Sequence, residues 1–220
     1  DVSLRDTNAL DLGTVGVGQD LTVTTGGALT DSGAVTVAGL ATIVSTGQSV
    51  TLGDSTTANF GSLDFSGSAV TITEASSMAI AASEATGALA LVANGAITQS
   101  GAIDGDSTAS FTAGGNAITL ANAGNDFGGA VSLSNSGTND VSLRDTNALD
   151  LGTVGVGQNL TVTTGGAIID SGVITVAGTT TFDNSAGNNA AIDLDSASTY
   201  TGNVTFTTDA GSDVTITDNS

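Results

Sequence analysis

The chain has no cysteine, proline, histidine, tryptophan or lysine. Without cysteine there is no disulfide staple. Without histidine there is no Ser-His-Asp triad in its usual form. Without lysine the glycine strings around GVGVGQ are no phosphate-binding loop, which also needs a following helix. The lack of proline fits long hydrogen-bonded ladders, because proline removes a ladder donor. Aromatics make up 3% of the residues, so any core must be thin and aliphatic. No apolar run is long enough to span a bilayer. No signal peptide opens the sequence, which is expected of a mature chain or a fragment of one.

What remains is acidic and aliphatic. Twenty-two acidic residues against two arginines, Arg5 and Arg144, give a net charge of −20. Such a surface repels nucleic acid and anionic lipid, whose recognition needs Lys and Arg against phosphate, so neither nucleic-acid binding nor membrane insertion is expected. It favours solubility and attracts cations. Disorder is excluded by pattern: apolar residues form 39% of the chain and alternate regularly.

The dominant feature is repetition, the first thing to seek in such a chain. DVSLRDTNALDLGTVGVGQ occupies 1–19 and recurs letter for letter at 140–158. The match extends over 1–43 and 140–182, with changes such as Leu29 to Ile168 and Val35 to Ile174. A weaker copy lies between: GGALTDSGAVTVAGLATI (26–43), NGAITQSGAIDGDSTASF (94–111) and GGAIIDSGVITVAGTTTF (165–182) align. The units run 1–20 (partial), 21–88, 89–159 and 160–220, within a single segment 1–220 of a longer array. DVTITDNS (213–220) fills the slot of DVSLRDTN (1–8), so the segment starts and stops in phase.

Inside each unit the apolar period is two, the signature of strands. One set carries Leu21/Val23, Leu63/Phe65, Leu89/Leu91, Val131/Leu133 and Val204/Phe206; a second carries Val50/Leu52, Val70/Ile72, Ile118/Leu120, Val141/Leu143 and Val214/Ile216; a third carries Val35/Val37, Met78/Ile80, Leu149/Leu151 and Ile174/Val176. Gly, Asn, Asp and Ser fill the turns between them. Helix is disfavoured by ubiquitous glycine and β-branched residues. The expected fold is all-β: a right-handed parallel β-helix, or β-solenoid, with three strands per coil. About nine to ten coils would stack equivalent strands into three sheets, a rod of roughly 45 Å at about 4.8 Å per coil. The extra residues ASEATG (82–87) and GTVGVGQ (13–19 and 152–158) are expected to form a bulge or excursion at one corner.

The strings LTVTTGGA, NAGNDFGGAVSL and NDVSLRDTNALDLGTV resemble the repeats of filamentous-haemagglutinin-like exoproteins, large bacterial surface proteins exported by two-partner secretion. STYTGNVTF (198–206) is similar to repeats of autotransporter passengers. The resemblance covers essentially the whole chain. It implies the right-handed β-helix, an extracellular or bacterial-cell-surface location, and roles in adhesion or biofilm. The family's N-terminal secretion domain has no counterpart in these residues.

One polar set invites a chemical reading. Asp6, Asp31, Asp54, Glu74, Gln99, Asn122, Asp145, Asp170, Ser196 and Asp218 each lie just past a strand of the second set or its equivalent. Stacked on one outer edge, carboxylates about 5 Å apart repel by about 1 kcal/mol in water. Ca²⁺ bridging Asp6, Asp31, Asp54, Glu74, Asp145, Asp170 and Asp218 would relieve this, since calcium accepts several oxygen ligands flexibly. The alternative is that each caps its own turn. No calcium-type GGxGxD repeat is present, and no other cofactor is expected.

Hydroxyls at Thr22/Thr24, Ser110/Thr112, Ser132/Ser134, Thr161/Thr163 and Thr205/Thr207 point outward by alternation. A flat array of them would suit an ice-binding face, although Asp64, Ala90, Val92 and Asp183 interrupt it. Enzymatic readings have least support. The carboxylate pairs Asp104/Asp106 and Asp193/Asp195 share exposed faces, whereas glycoside hydrolysis needs one carboxyl raised by burial. The sequence therefore points to a non-enzymatic stalk or filament segment. Direct glycan or host-protein binding and head-to-tail self-association through uncapped end strands are the competing expectations.

Overall fold

The computed structural model describes residues 1–54, 57–187 and 189–219. Among them there is strand, turn and bend but no helix, and hence no helix long and apolar enough to cross a membrane. The strands pair in parallel and wind into a β-solenoid. Two hydrogen-bonded sheets run its length. In the first, eleven strands follow one another from Val2–Asp6 to Val204–Thr207; in the second, eleven follow from Leu10–Leu12 onwards. The rod therefore has about eleven coils where nine to ten were expected, because coils average close to twenty residues.

The third side is less regular. Short strands Val15–Val17, Ser83–Ala85, Ile103–Gly105 and Asp126–Phe127 make its first part and join the ladder of the first sheet, while further along 154–156, Ile174–Val176 and 199–200 pair within the second sheet, so no independent third ladder forms among the described residues. The segments expected to bulge outward are part of this wall. Val15–Val17 pairs with Val35–Val37, Ser83–Ala85 with Ile103–Gly105, and Val154 and Val156 point inward, at most 4% exposed. Their alternating Val-Gly-Val spacing is a strand pattern, and the wall uses it as one.

The core is a stack of like side chains. In the second sheet Leu29, Val50, Val70, Leu89, Ala109, Val131 and Leu151 occupy successive coils in register, and all are buried. Such stacking removes aliphatic surface from water on both sides of every coil, each side chain contributing about 1.5–3 kcal/mol. The few aromatics serve the same core. Phe111 meets Phe127 edge-on at 6.0 Å, and Phe182 lies between Phe206, stacked at 5.7 Å, and Tyr200, edge-on at 6.3 Å. Tyr200, the aromatic with the weakest case for an inward position, is 4% exposed.

The repeat maps onto the rod in a way the sequence did not foretell. Val2–Asp6 and its identical counterpart Val141–Asp145 stand seven strands apart in the first sheet; Leu10–Leu12 and the strand opening at Leu149 stand seven apart in the second. The exact repeat thus spans seven coils and returns to the same sheet. The weaker half-repeat spans three and a half. Leu21–Thr25 and Leu160–Thr164 lie in the first sheet, but their middle counterpart Leu89–Ala93 lies in the second. Equivalent strands of successive half-units consequently alternate between faces instead of stacking on one. This also accounts for the pattern of similarity, since only copies seven coils apart meet the same sheet.

Close contact between coils explains the paired glycines of TTGG. A Cβ at Gly26 would collide with the carbonyl oxygen of Thr7, and one at Gly165 with that of Thr146. Backbone passes over backbone there, and only glycine leaves room.

Candidate functional site

The seven residues of the expected calcium ladder do not share an edge. Asp6 and Asp145 end strands of the first sheet, Asp31, Glu74, Asp170 and Asp218 end strands of the second, and Asp54 is exposed in the turn after Val50–Leu52. Asp31, Glu74 and Asp145 are buried, with Glu74 fully so and Asp145 1% exposed. They point into the corners of the rod, not away from it.

Their partners show what they do there. The Phe60 N–H donates to Glu74 Oε1 at 3.0 Å, the Phe127 N–H to Asp145 Oδ2 at 3.0 Å, and the Tyr200 N–H to Asp218 Oδ1 at 3.4 Å. Each unit therefore ends a coil on an aromatic whose backbone donor leaves the ladder at the corner. An acid from the next coil accepts it. Asp31 Oδ1 accepts the Gly53 N–H at 2.9 Å and Asp170 Oδ1 the Ser196 N–H at 3.3 Å, so at the same second-sheet corner that holds Glu74 and Asp218 these two acids accept from the coil that follows. Asp6 and Asp145 also accept from Asn8 and Asn147, two residues on, both at 2.8 Å. Capping of the residue's own turn, the alternative weighed for these residues, is present at Asp6 and Asp145, whereas Glu74, Asp31, Asp170 and Asp218 accept donors of another coil.

Neutral residues perform the task elsewhere. Ser83 Oγ accepts from Phe65 N at 3.2 Å and Ser198 Oγ from Ile174 N at 2.9 Å. Asn125, fully buried, accepts from Ile103 N at 3.0 Å, donates to the carbonyls of Leu120 and Arg144, both at 3.1 Å, and exchanges two hydrogen bonds with Gln99 at 2.7 and 2.9 Å. Gln99 thus belongs to a corner network, not to an outward charge row.

Burial changes the chemistry of the caps. It pushes the Glu74 carboxyl from an ordinary 4.5 up to about 6, against the pull of the Phe60 and Ser76 hydrogen bonds. Glu74 Oε2 is buried without a hydrogen-bond partner among the described residues, the natural place for a proton. Burial likewise raises Asp145 and Asp170 above the usual carboxylate range, outweighing the backbone donors around them.

The acidic row that does face outward was not the one the sequence suggested. Glu84, Asp104 and Asp126 stand side by side in successive coils, next to Ser66. Asp104 is raised by desolvation and then by the charges of Asp106 and Asp126. Asn147 Nδ2 donates to Asp126 Oδ1 at 2.7 Å and blunts the end of the row. Glu84 and Asp104 are the middle residues of their three-residue strands and Asp126 opens its two-residue strand, and only the register between these strands brings the three acids together. Among the described residues no three acidic side chains converge as a metal site. Asp193 and Asp195 are exposed on one face, as expected of that pair.

The outward hydroxyls also divide. Thr22/Thr24, Thr161/Thr163 and Thr205/Thr207 belong to the first sheet, Ser110/Thr112 and Ser132/Ser134 to the second. They do not make the single flat array expected.

A family model described as repeats of unknown function (DUF5649) matches residues 1–64, 67–134 and 138–207. Its three matches open at residues 1, 67 and 138, a frame other than the units opening at 21, 89 and 160. No curated protein and no solved structure matches the chain. With three consecutive matches over nearly its whole length, the chain belongs to the family of DUF5649 repeats, which here build one continuous β-solenoid.

Proposed function

We propose that this segment is a structural rod, the stalk or filament part of a bacterial surface or extracellular protein of the filamentous-haemagglutinin-like kind, with no catalytic role. One observation carries the reading: a single parallel ladder system, with one aliphatic core, runs unbroken from the first coil to the last. Every interior coil is held by both neighbours, so bending requires breaking many backbone bonds together. The corner acids serve the same end by satisfying donors that would otherwise be orphaned in the core.

Genes encoding one, two and three copies of the 139-residue repeat test this. Each added copy should lengthen an unbranched rod by roughly 34 Å, seven coils at about 4.8 Å, in small-angle scattering and electron micrographs. Globular or bead-like particles whose length does not grow with copy number would overturn it.

A further inference from the structure

Arg144 is the fourth residue of Val141–Asp145, a strand paired on both sides part-way along the rod. Leu143 and Asp145 beside it point inward, so its side chain points out. Register places it next to Thr163 of the adjoining coil, and Thr163 next to Asp183 of the one after. An open groove of about 470 Å³ crosses these three coils, lined by Arg144, Thr146, Thr163, Asp183 and Ser185 among others. That volume falls in the range of small-molecule sites.

The donors and acceptors in the groove are uncommitted in a specific way. The Arg144 guanidinium makes no ion pair or hydrogen bond among the described residues, which leaves a planar fork of five N–H donors facing solvent. It does so on a chain of net charge −20 with only one other cation. Asp183 receives both the backbone N–H of Ser185 at 3.0 Å and its hydroxyl at 2.7 Å on Oδ1. Its second oxygen adds further acceptor sites on a residue that lines the groove. Arg144 and Asp183 are two ladder steps apart, roughly 10 Å between backbones. A six-membered sugar ring bridges that span once both side chains extend over it.

We propose that this groove binds an acidic sugar, a uronate, with its carboxylate on Arg144 and its ring hydroxyls on Asp183, Thr163 and Ser185. A guanidinium pairs with a planar carboxylate through two parallel hydrogen bonds. One cation supports one anionic group. A nucleic acid or densely sulfated chain would bring many charges against an acidic rod and find a single partner. A uronate brings one charge and several hydroxyls, the complement of what lines the groove.

The repeat contains its own control. Arg5 has the same neighbours in sequence and the same Thr beside it, Thr24, but the next coil offers Val44 where Arg144 has Asp183. The groove is complete only in the second copy.

The test is a titration of the isotope-labelled chain, followed by NMR, with galacturonate, galactose and acetate. Galacturonate is expected to shift the amides of 144–146, 163 and 183–185, and galactose to bind at least tenfold more weakly. Arg144→Ala should weaken galacturonate at least tenfold, and Arg5→Ala should leave it unchanged. Asp183→Asn should weaken galacturonate but not acetate. Equal binding of galactose, or undiminished binding by Arg144→Ala with an unaltered circular-dichroism spectrum, would overturn the proposal. So would acetate matching galacturonate, with Asp183→Asn indifferent, since that describes attraction of a bare anion and not recognition of a sugar.

Discussion

Glu74 offers the sharpest test of the corner-cap reasoning. Its side chain is fully buried, one oxygen accepts from Phe60 N–H and Ser76 Oγ at 3.0 and 3.1 Å, and the other has no partner among the described residues. Burial lifts its pKa from 4.5 to about 6, and no neighbouring charge contributes. A carboxyl that holds its proton more tightly when folded stabilises the fold fully below its unfolded pKa, and that stability is lost as pH rises through the folded value. The window is therefore about pH 4.5 to 6 and slightly above. At about 1.4 kcal/mol per pH unit the displacement corresponds to about 1–2 kcal/mol. Glu74→Gln keeps the acceptor for Phe60 and cannot ionise. It should match the wild type at pH 4 and exceed it at pH 8 by about 1–2 kcal/mol, roughly 2–8 °C in Tm for a chain of this size. Urea unfolding followed by circular dichroism at pH 4, 5, 6, 7 and 8 measures both curves. Asp145 and Asp170 impose a slope of the same sign on both proteins, so the difference between the curves isolates Glu74. Parallel curves across the whole range would refute the assignment of a buried, protonated cap.

Glu74→Ala removes the acceptor itself and should cost about 1–3 kcal/mol at pH 4, from the stranded Phe60 donor, and less at pH 8, where the wild type carries a buried charge. Asn125→Ala strands Ile103 N–H and the carbonyls of Leu120 and Arg144, and a loss of about 3 kcal/mol or more in urea unfolding is expected. EDTA followed by Ca²⁺ should leave Tm unchanged, since the corner acids are already used as caps; a rise of several degrees would restore the calcium reading. Trypsin has two sites, and native Arg144, in a strand laddered on both sides, should resist it while Arg5, in the exposed first strand, is cut first; early cleavage at 144 by mass spectrometry would contradict a continuous rod. The end strands Val2–Asp6 and Val214–Asp218 expose Val2 and Val214, 47% and 41%, beside unpaired edges. Stacking of copies end to end should appear as concentration-dependent growth in light scattering, and a strict monomer at high concentration would exclude it.

The acid slot shows how far the sequence could be followed. Leu143 and Asp145, or Ile72 and Glu74, are two residues apart, and strict alternation sends both to the same side. The pattern itself therefore pointed inward. Charge was the reason to place these residues outside, because acids are seldom buried without a partner. The partner is a backbone N–H of another coil, which no local pattern displays. The outward row Glu84–Asp104–Asp126 was hidden for a related cause: its strands turn Ser83/Ala85 and Ile103/Gly105 inward and lack the aliphatic pair that marks a short strand such as Val50–Leu52.

By itself the sequence determined the parallel β-solenoid, the coil of about twenty residues, the inward aliphatics and the repeat, because each follows from period-two alternation, turn residues and self-similarity within a short window. Only the tertiary structure decided which sheet each copy occupies, which acids turn inward, and that Arg144 gains Asp183 where Arg5 gains Val44. Those depend on the accumulated length of successive coils, which vary by a few residues at the corners. A strand knows its own two sides, but what lies above and below it is set by a count taken around the whole turn.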